Sequence, residues 1–180
     1  MALSIDIETL DTKPTAVILS IGAVVFDPEA KKLRGGVLWN IDAAAQFTRT
    51  ISEDTVRWWL KSPALLAETI DCEVVSLAHA LYTLEGLWTG RINQQVWFNG
   101  TDFDGGILAD AYRTELRSEP PWQYYQQHDV RTLKKFVPRN CYGKRKRPDG
   151  EAHNALWDAQ NQAITVQEIH AWRKKVTDAA

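Results

Sequence analysis

The sequence predicts an α/β domain with a mixed sheet and helices on its faces. Two observations predict it: three apolar, β-branched runs separated by turns come first, and short apolar runs alternating with helical spacing follow. With 180 residues, 44% of them hydrophobic, the chain can bury one substantial core and is too short for two ordinary domains. Residues 1–180 are therefore expected to form a single domain. No internal repeat or low-complexity linker interrupts it.

The elements follow in order. A first strand is expected near Leu3 to Ile7, a second in "AVILSIGAVVFD" from Ala16 to Asp27, which runs into the turn "DPEAKKL", and a third near Gly36 to Ile41. Together they suggest an antiparallel meander. "SEDTVRWWLKS" begins with Ser52, has acids in its first turn and stops before Pro63, the signature of a short helix. In "EVVSLAHALYTLEGLW", Val74, Leu77, Ala78, Leu81, Leu84 and Trp88 recur at three and four, so this helix has an apolar face for the sheet. "QQVWFNGTDFDGGILADAYRTEL" then passes from strand to an Asn99–Gly100 turn and into helical spacing at Phe103, Ile107, Leu108 and Ala111. "EPPWQYYQQ" reads as a loop, "HDVRTLKKFVP" as a strand end and helix, and "RNCYGKRKRPDGE" as a polar loop. A final helix is expected from about Ala152 to Val176.

Composition excludes several classes. No run approaches the length of a membrane span, and "MALSIDIETL" lacks the basic start and apolar centre of a signal peptide, which points to a soluble cytoplasmic protein. Cys72 and Cys141 match no metal-ligand spacing and indicate no disulfide framework. The net charge of −2 does not mark a nucleic-acid binder, so any polyanion site must come from local arrangement, such as "KRKR" at Lys144 to Arg147.

The acids carry the chemistry. In a strand, residues i and i+2 share a face, so Asp6 and Glu8 stand side by side at the end of the first strand. Two carboxylates so close repel unless a positive charge sits between them, and a hard divalent cation prefers such oxygen ligands. Alone the pattern is weak: D-x-E arises by chance about 0.7 times in a chain of this length. Asp104 lies at a helix entry just outside the carboxyl end of a strand, where open α/β sheets place their ligand crevice, with Asp102 the expected capping residue. His153 and Asp158 are five residues apart, about 140° around an ideal helix. They converge only if His153 lies on the loop or first turn entering that helix.

In this order, "DIET", "NGTDFD" and "HNALWDA" resemble the motifs of the DEDDh branch of the DnaQ-like 3′-to-5′ exonucleases. The matching residues are Asp6, Glu8, Asp104, His153 and Asp158. "ILSIGAVVFDP", "TVRWWL" and "DVRTL" look most like the phage and prophage enzymes of the DexA kind, often labelled exonuclease VIII-like. The resemblance implies an RNase H-like fold, with a five-stranded mixed sheet whose first strand continues into parallel pairing with the fourth. It implies that Asp6, Glu8, Asp104 and Asp158 ligate two Mg²⁺ or Mn²⁺ ions and that His153 is the general base. Four carboxylates balance four positive charges, and a histidine with an ordinary pKa of about 6.5 is neutral enough near pH 7 to 8 to take a proton from water.

Around this site, Lys144 and Arg145 in the basic loop are candidates to grip phosphates, against the alternative of a solvated charge run. Asp129 precedes a helix and is expected to cap it, with Thr132 or a nearby backbone N–H as partner. Of eight tryptophans, Trp39, Trp58, Trp59, Trp97, Trp122 and Trp157 are possible base-stacking platforms, with Trp157, Trp59 and Trp39 foremost. By resemblance, Thr9 and Leu10 pack against the terminal nucleotide. Asp11 has no place among the acids and reads as a turn residue before "TKP". The expected partner is a single-stranded DNA or RNA 3′ end, DNA first, for a monomer or homodimer in a bacterial or phage-infected cell. The competing readings are an exoribonuclease like RNase T or oligoribonuclease, a proofreading subunit, and a catalytically inactive binding module of the same fold; the complete acid set argues against the last.

Overall fold

In the computed structural model, which describes residues 1–70, 72–143, 145 and 153–179, five strands form one mixed sheet of order β3-β2-β1-β4-β5. β1 (Ala2–Thr9), β2 (Ile18–Phe26) and β3 (Leu33–Asn40) make the expected antiparallel meander. β4 (Gln95–Phe98) runs parallel to β1, and the short β5 (Gln127–Asp129) parallel to β4. β2 starts two residues later than the apolar run suggests because Ala16 and Val17 are tied to Thr50 instead, with Val17 N–H donating to its carbonyl at 2.9 Å. β3 starts earlier, at Leu33, which pairs with Phe26.

The alternation along β1 divides the core in two. Leu3, Ile5 and Ile7 face the larger cluster, built with Leu77, Leu81 and Leu84 of α3 (Leu77–Gly86) and Ile107 and Leu108 of α4 (Gly106–Ala111). Ala2 faces the other cluster, with Val24, Phe26 and the buried Ala159, Ala163 and Val166 of the C-terminal helix. Helices thus cover both sheet faces, as a sheet with parallel strands requires.

The helices differ from expectation in three places. α1 (Glu53–Trp59) is followed by a second short helix, α2 (Pro63–Ile70), in which Pro63 occupies the first turn rather than ending the region. Proline tolerates that position because the first helical N–H groups are unpaired anyway. α3 begins at Leu77 with Ser76 as its cap, since Val75 is drawn away into a bridge with Ile41. The segment before α4 is a π-helical turn, Thr101–Gly105, and a second one, Tyr112–Leu116, continues α4. Asp102 is exposed and caps nothing, because the turn starts at Thr101 after Gly100. α5 (Val130–Lys135) follows β5, capped by Asp129 as expected, and α6 runs Ala155–Asp178, capped by Asn154. Among the described residues, no helix is long and apolar enough to cross a membrane.

Candidate active site

The site grows from the point where β1 and β4 part. Their parallel pairing covers only Ala2 to Ser4 on β1, so beyond it the strands leave a crevice at their carboxyl ends. There the backbone N–H of Ile7 has lost its strand partner, and Asp104 Oδ1 accepts from it at 3.3 Å. The π-turn delivers Asp104 to this spot, 4% exposed. Asp129 braces the same corner: one carboxylate oxygen accepts from Thr132 N–H at the start of α5, and the other from Thr101 N–H at 3.2 Å.

Alternation puts Ser4, Asp6 and Glu8 on the face covered by α6. Gln162 of α6 lies between the first two, accepting from Ser4 Oγ at 3.3 Å and donating Nε2 to Asp6 Oδ1 at 2.7 Å. It is 7% exposed and holds the Asp6 carboxylate in one orientation. Asn154 Oδ1 accepts from Trp157 N–H at 3.0 Å, fixing the first turn of α6 and with it Asp158.

A glycine sets how near that turn comes. Gly22 pairs with Asp6 across the ladder, and a Cβ on it would lie 2.2 Å from the Ala155 carbonyl carbon. Backbone therefore rests on backbone where any side chain would push the helix away. Gly22→Ala is expected to destabilise the fold by about 1–3 kcal/mol and to lower activity more than stability implies, because Asp158 and His153 move with the displaced turn. Thermal melting and hydrolysis rates together check this: full activity in a folded Gly22→Ala protein would contradict it.

Asp6, Glu8, Asp104, His153 and Asp158 all line one cavity of about 330 Å³. Carboxylate oxygens of Asp6, Glu8 and Asp158 lie within 4.8 Å of one another, close to the separation of about 4 Å between opposite ligands of an octahedral Mg²⁺. Burial, and then the charges of Asp104, Glu8 and Asp158, push the Asp6 carboxyl well above the usual range. Burial likewise pushes Asp104 up to about 7. Acids this costly to ionise side by side fit a site completed by divalent cations, with oxygen donors only.

His153 precedes the cap of α6 in a left-handed turn, φ +57°, a conformation histidine adopts more readily than most side chains. This is the loop placement that its spacing from Asp158 demands. Its ring meets the edge of Trp58 at 4.5 Å between centroids, so α1 buttresses the imidazole. Trp58 also opens onto a second cavity, about 380 Å³, that adjoins the first through Ile7, Glu8 and Phe103 and has largely apolar walls.

The remaining candidates separate by burial. Trp39, 6% exposed, and Trp59, 1% exposed, are core residues, which corrects their reading as stacking platforms. Trp59 instead donates its indole N–H to the Thr9 carbonyl at 2.9 Å and backs the second cavity, while Trp58, 42% exposed, presents the accessible ring. Trp97 stacks on His128, and Trp122 packs against Phe98 and Tyr112. Trp157 is half-buried beside Asp158. Thr9 lines the second cavity; Leu10, one residue on, is engaged through its backbone with Val17 and Ser52 and lines neither cavity. Arg145 forms an ion pair with Glu168 at 2.6 Å, so α6 already occupies its guanidinium. Lys144 lies outside the described residues. Asp11 is the expected turn residue, accepting from Thr12 N–H at 2.7 Å. Sequence reasoning missed Gln162, Arg131 and Lys134; the available signal was helical spacing, which puts Gln162 one turn beyond Asp158 and Lys134 one turn beyond Arg131.

This sheet order, with helices on both faces and carboxylates gathered at the crevice, is the RNase H-like fold of exonuclease domains. Residues 1–170 match the 3'-5' exoribonuclease Rv2179c-like domain, and the chain belongs to that family. Among solved structures, E. coli exonuclease I in complex with a dT13 oligonucleotide is similar, with TM-score 0.67, 12% identity, and coverage of 99% of this chain and 42% of that one. An exonuclease I from Methylocaldum szegediense gives 0.65 and 12%, covering 94% and 40%. The nuclease domain of 3'hExo, a DEDDh family member bound to rAMP, gives 0.63 and 14%, covering 94% and 92%. The chain thus spans about two-fifths of the exonuclease I structures and nearly all of the 3'hExo domain. At these identities the likeness shows the fold. No curated protein matches the sequence.

Proposed function

We propose that the chain removes nucleotides one at a time from the 3′ end of single-stranded nucleic acid, using divalent cations held by Asp6, Glu8, Asp104 and Asp158. The observation that carries this reading is the convergence of all four carboxylates and His153 on one cavity. RNA is the substrate favoured by the family match, ahead of the DNA expected from the sequence strings of the DexA kind. Those strings support DexA-type kinship as a narrower reading within the class.

Two Mg²⁺ or Mn²⁺ ions at such a site supply positive charge to the phosphoryl oxygens and acidify water. The chain's own residues do the rest. Gln162 fixes one Asp6 oxygen and leaves the other for coordination. His153 takes one proton of the attacking water as the water oxygen bonds to phosphorus; the P–O3′ bond then breaks and the departing O3′ takes a proton from solvent, releasing a nucleoside 5′-monophosphate and a strand ending in a 3′-hydroxyl. The second cavity suits the terminal nucleoside, with Trp58 as the accessible aromatic surface and Thr9 on its wall.

Digestion of 5′-labelled RNA and DNA of one sequence, with Mg²⁺, Mn²⁺ or EDTA, tests this reading. The expected result is a ladder shortening stepwise from the 3′ end, metal-dependent and faster on RNA. Release of labelled mononucleotide first, or cleavage that survives EDTA, would overturn it; faster loss of DNA would reverse the substrate assignment alone.

A further inference from the structure

The cavity that carries the acids also carries two cations that the proton transfer does not use. Arg131 and Lys134 stand three residues apart on α5, on one helix face, and both line that cavity. Lys134 Nζ donates to Asn99 Oδ1 at 3.2 Å, at the turn leaving β4. Among the described residues, neither cation forms an ion pair with a carboxylate. Asp129, the acid adjoining α5, is committed to the backbone N–H groups of Thr101 and Thr132. Arg139 adds a further positive charge beside Lys134. Arg131 attracts the carboxylates of Asp104 and Asp129 without an ion pair to either, and both cations keep N–H donors for a phosphate oxygen, the anion a nucleic acid brings.

The chemistry of a 3′ end says which phosphate. On the 3′ side of the scissile phosphate there is one nucleoside ending in a hydroxyl, so any second phosphate lies on the 5′ side. The apolar second cavity takes the nucleoside; Arg131 and Lys134 line the acids' own cavity and not the second one, and are left for the strand. We propose that Arg131 and Lys134 form a subsite for the phosphate immediately 5′ of the scissile one. This rests on the exonuclease reading.

Dinucleotides with and without a 5′-phosphate, pNpN and NpN, test it, because both offer the same scissile bond and only the first fills the subsite. The wild-type protein is expected to hydrolyse pNpN with a KM about tenfold below that for NpN, the weight of a charge-assisted hydrogen bond. Lys134→Gln and the exposed Arg131→Gln should each shrink that ratio toward one by raising KM for pNpN. Arg173→Gln, on the far part of α6, should keep it. A ratio near one in the active wild-type protein overturns the subsite and leaves the exonuclease reading standing. So does an equal fall of kcat on both substrates in the variants, since cations that only balance the carboxylates would act on both alike. A wild-type protein that cleaves neither dinucleotide nor longer strands overturns both.

Discussion

Asp6→Asn is expected to abolish hydrolysis while making the metal-free protein more stable. The two effects have one cause. Asp6 is buried among Glu8, Asp104 and Asp158, so its ionised form is held against desolvation and repulsion. Asparagine removes that charge and still accepts from Gln162, so the packing survives. The loss of a cation ligand removes several kcal/mol of transition-state stabilisation, about a thousandfold or more in kcat. Melting curves in EDTA and in Mg²⁺ measure the rest: Mg²⁺ should raise the wild-type midpoint and leave that of Asp6→Asn nearly unchanged.

The same electrostatics fix the pH dependence of the metal-free fold. Carboxyls raised above their unfolded values bind protons more tightly in the folded state. The stability they contribute is fully present below about pH 4 and is lost as pH rises through the folded values, about 7 for Asp104. In EDTA the protein should therefore weaken between about pH 4 and 7, the reverse of the usual carboxylate behaviour. Asp6→Asn should flatten that decline.

His153→Ala is expected to lower kcat by about 10²–10⁴ while leaving cation binding in place. The imidazole lines the acid cavity, with its ring against Trp58 at the left-handed turn that precedes α6. Steady-state rates paired with a Mn²⁺ titration separate the roles. Partial recovery with added imidazole would support proton transfer, whereas loss of Mn²⁺ binding would make His153 a ligand.

What the sequence disclosed and what it hid follow from the range of the interactions. Strand alternation is local, so "SIDIET" alone puts Asp6 and Glu8 on one face, and the pairing of β1 with β2 and β4 honours it. The separation of His153 from Asp158 excludes a shared helix face, and the structure resolves this with a turn before Asn154. Burial is not local. Trp58 and Trp59 are neighbours in sequence, yet one is 42% and the other 1% exposed, because α1 turns Trp59 onto the Thr9 carbonyl. Gly22 reads as an ordinary strand glycine until α6, more than a hundred residues later, is seen resting on it. Arg145 stood out in a basic run but is taken by Glu168, while Arg131 and Lys134, unremarked in "DVRTLKK", reach the cavity.

Manganese located by anomalous scattering, in crystals grown with a nucleoside 5′-monophosphate, tests the metal cage most directly. Mn²⁺ is expected to be coordinated by Asp6, Glu8, Asp104 and Asp158, with the nucleoside in the cavity beside Trp58. Manganese bound elsewhere, or none in the acid cavity at millimolar concentration, would contradict it.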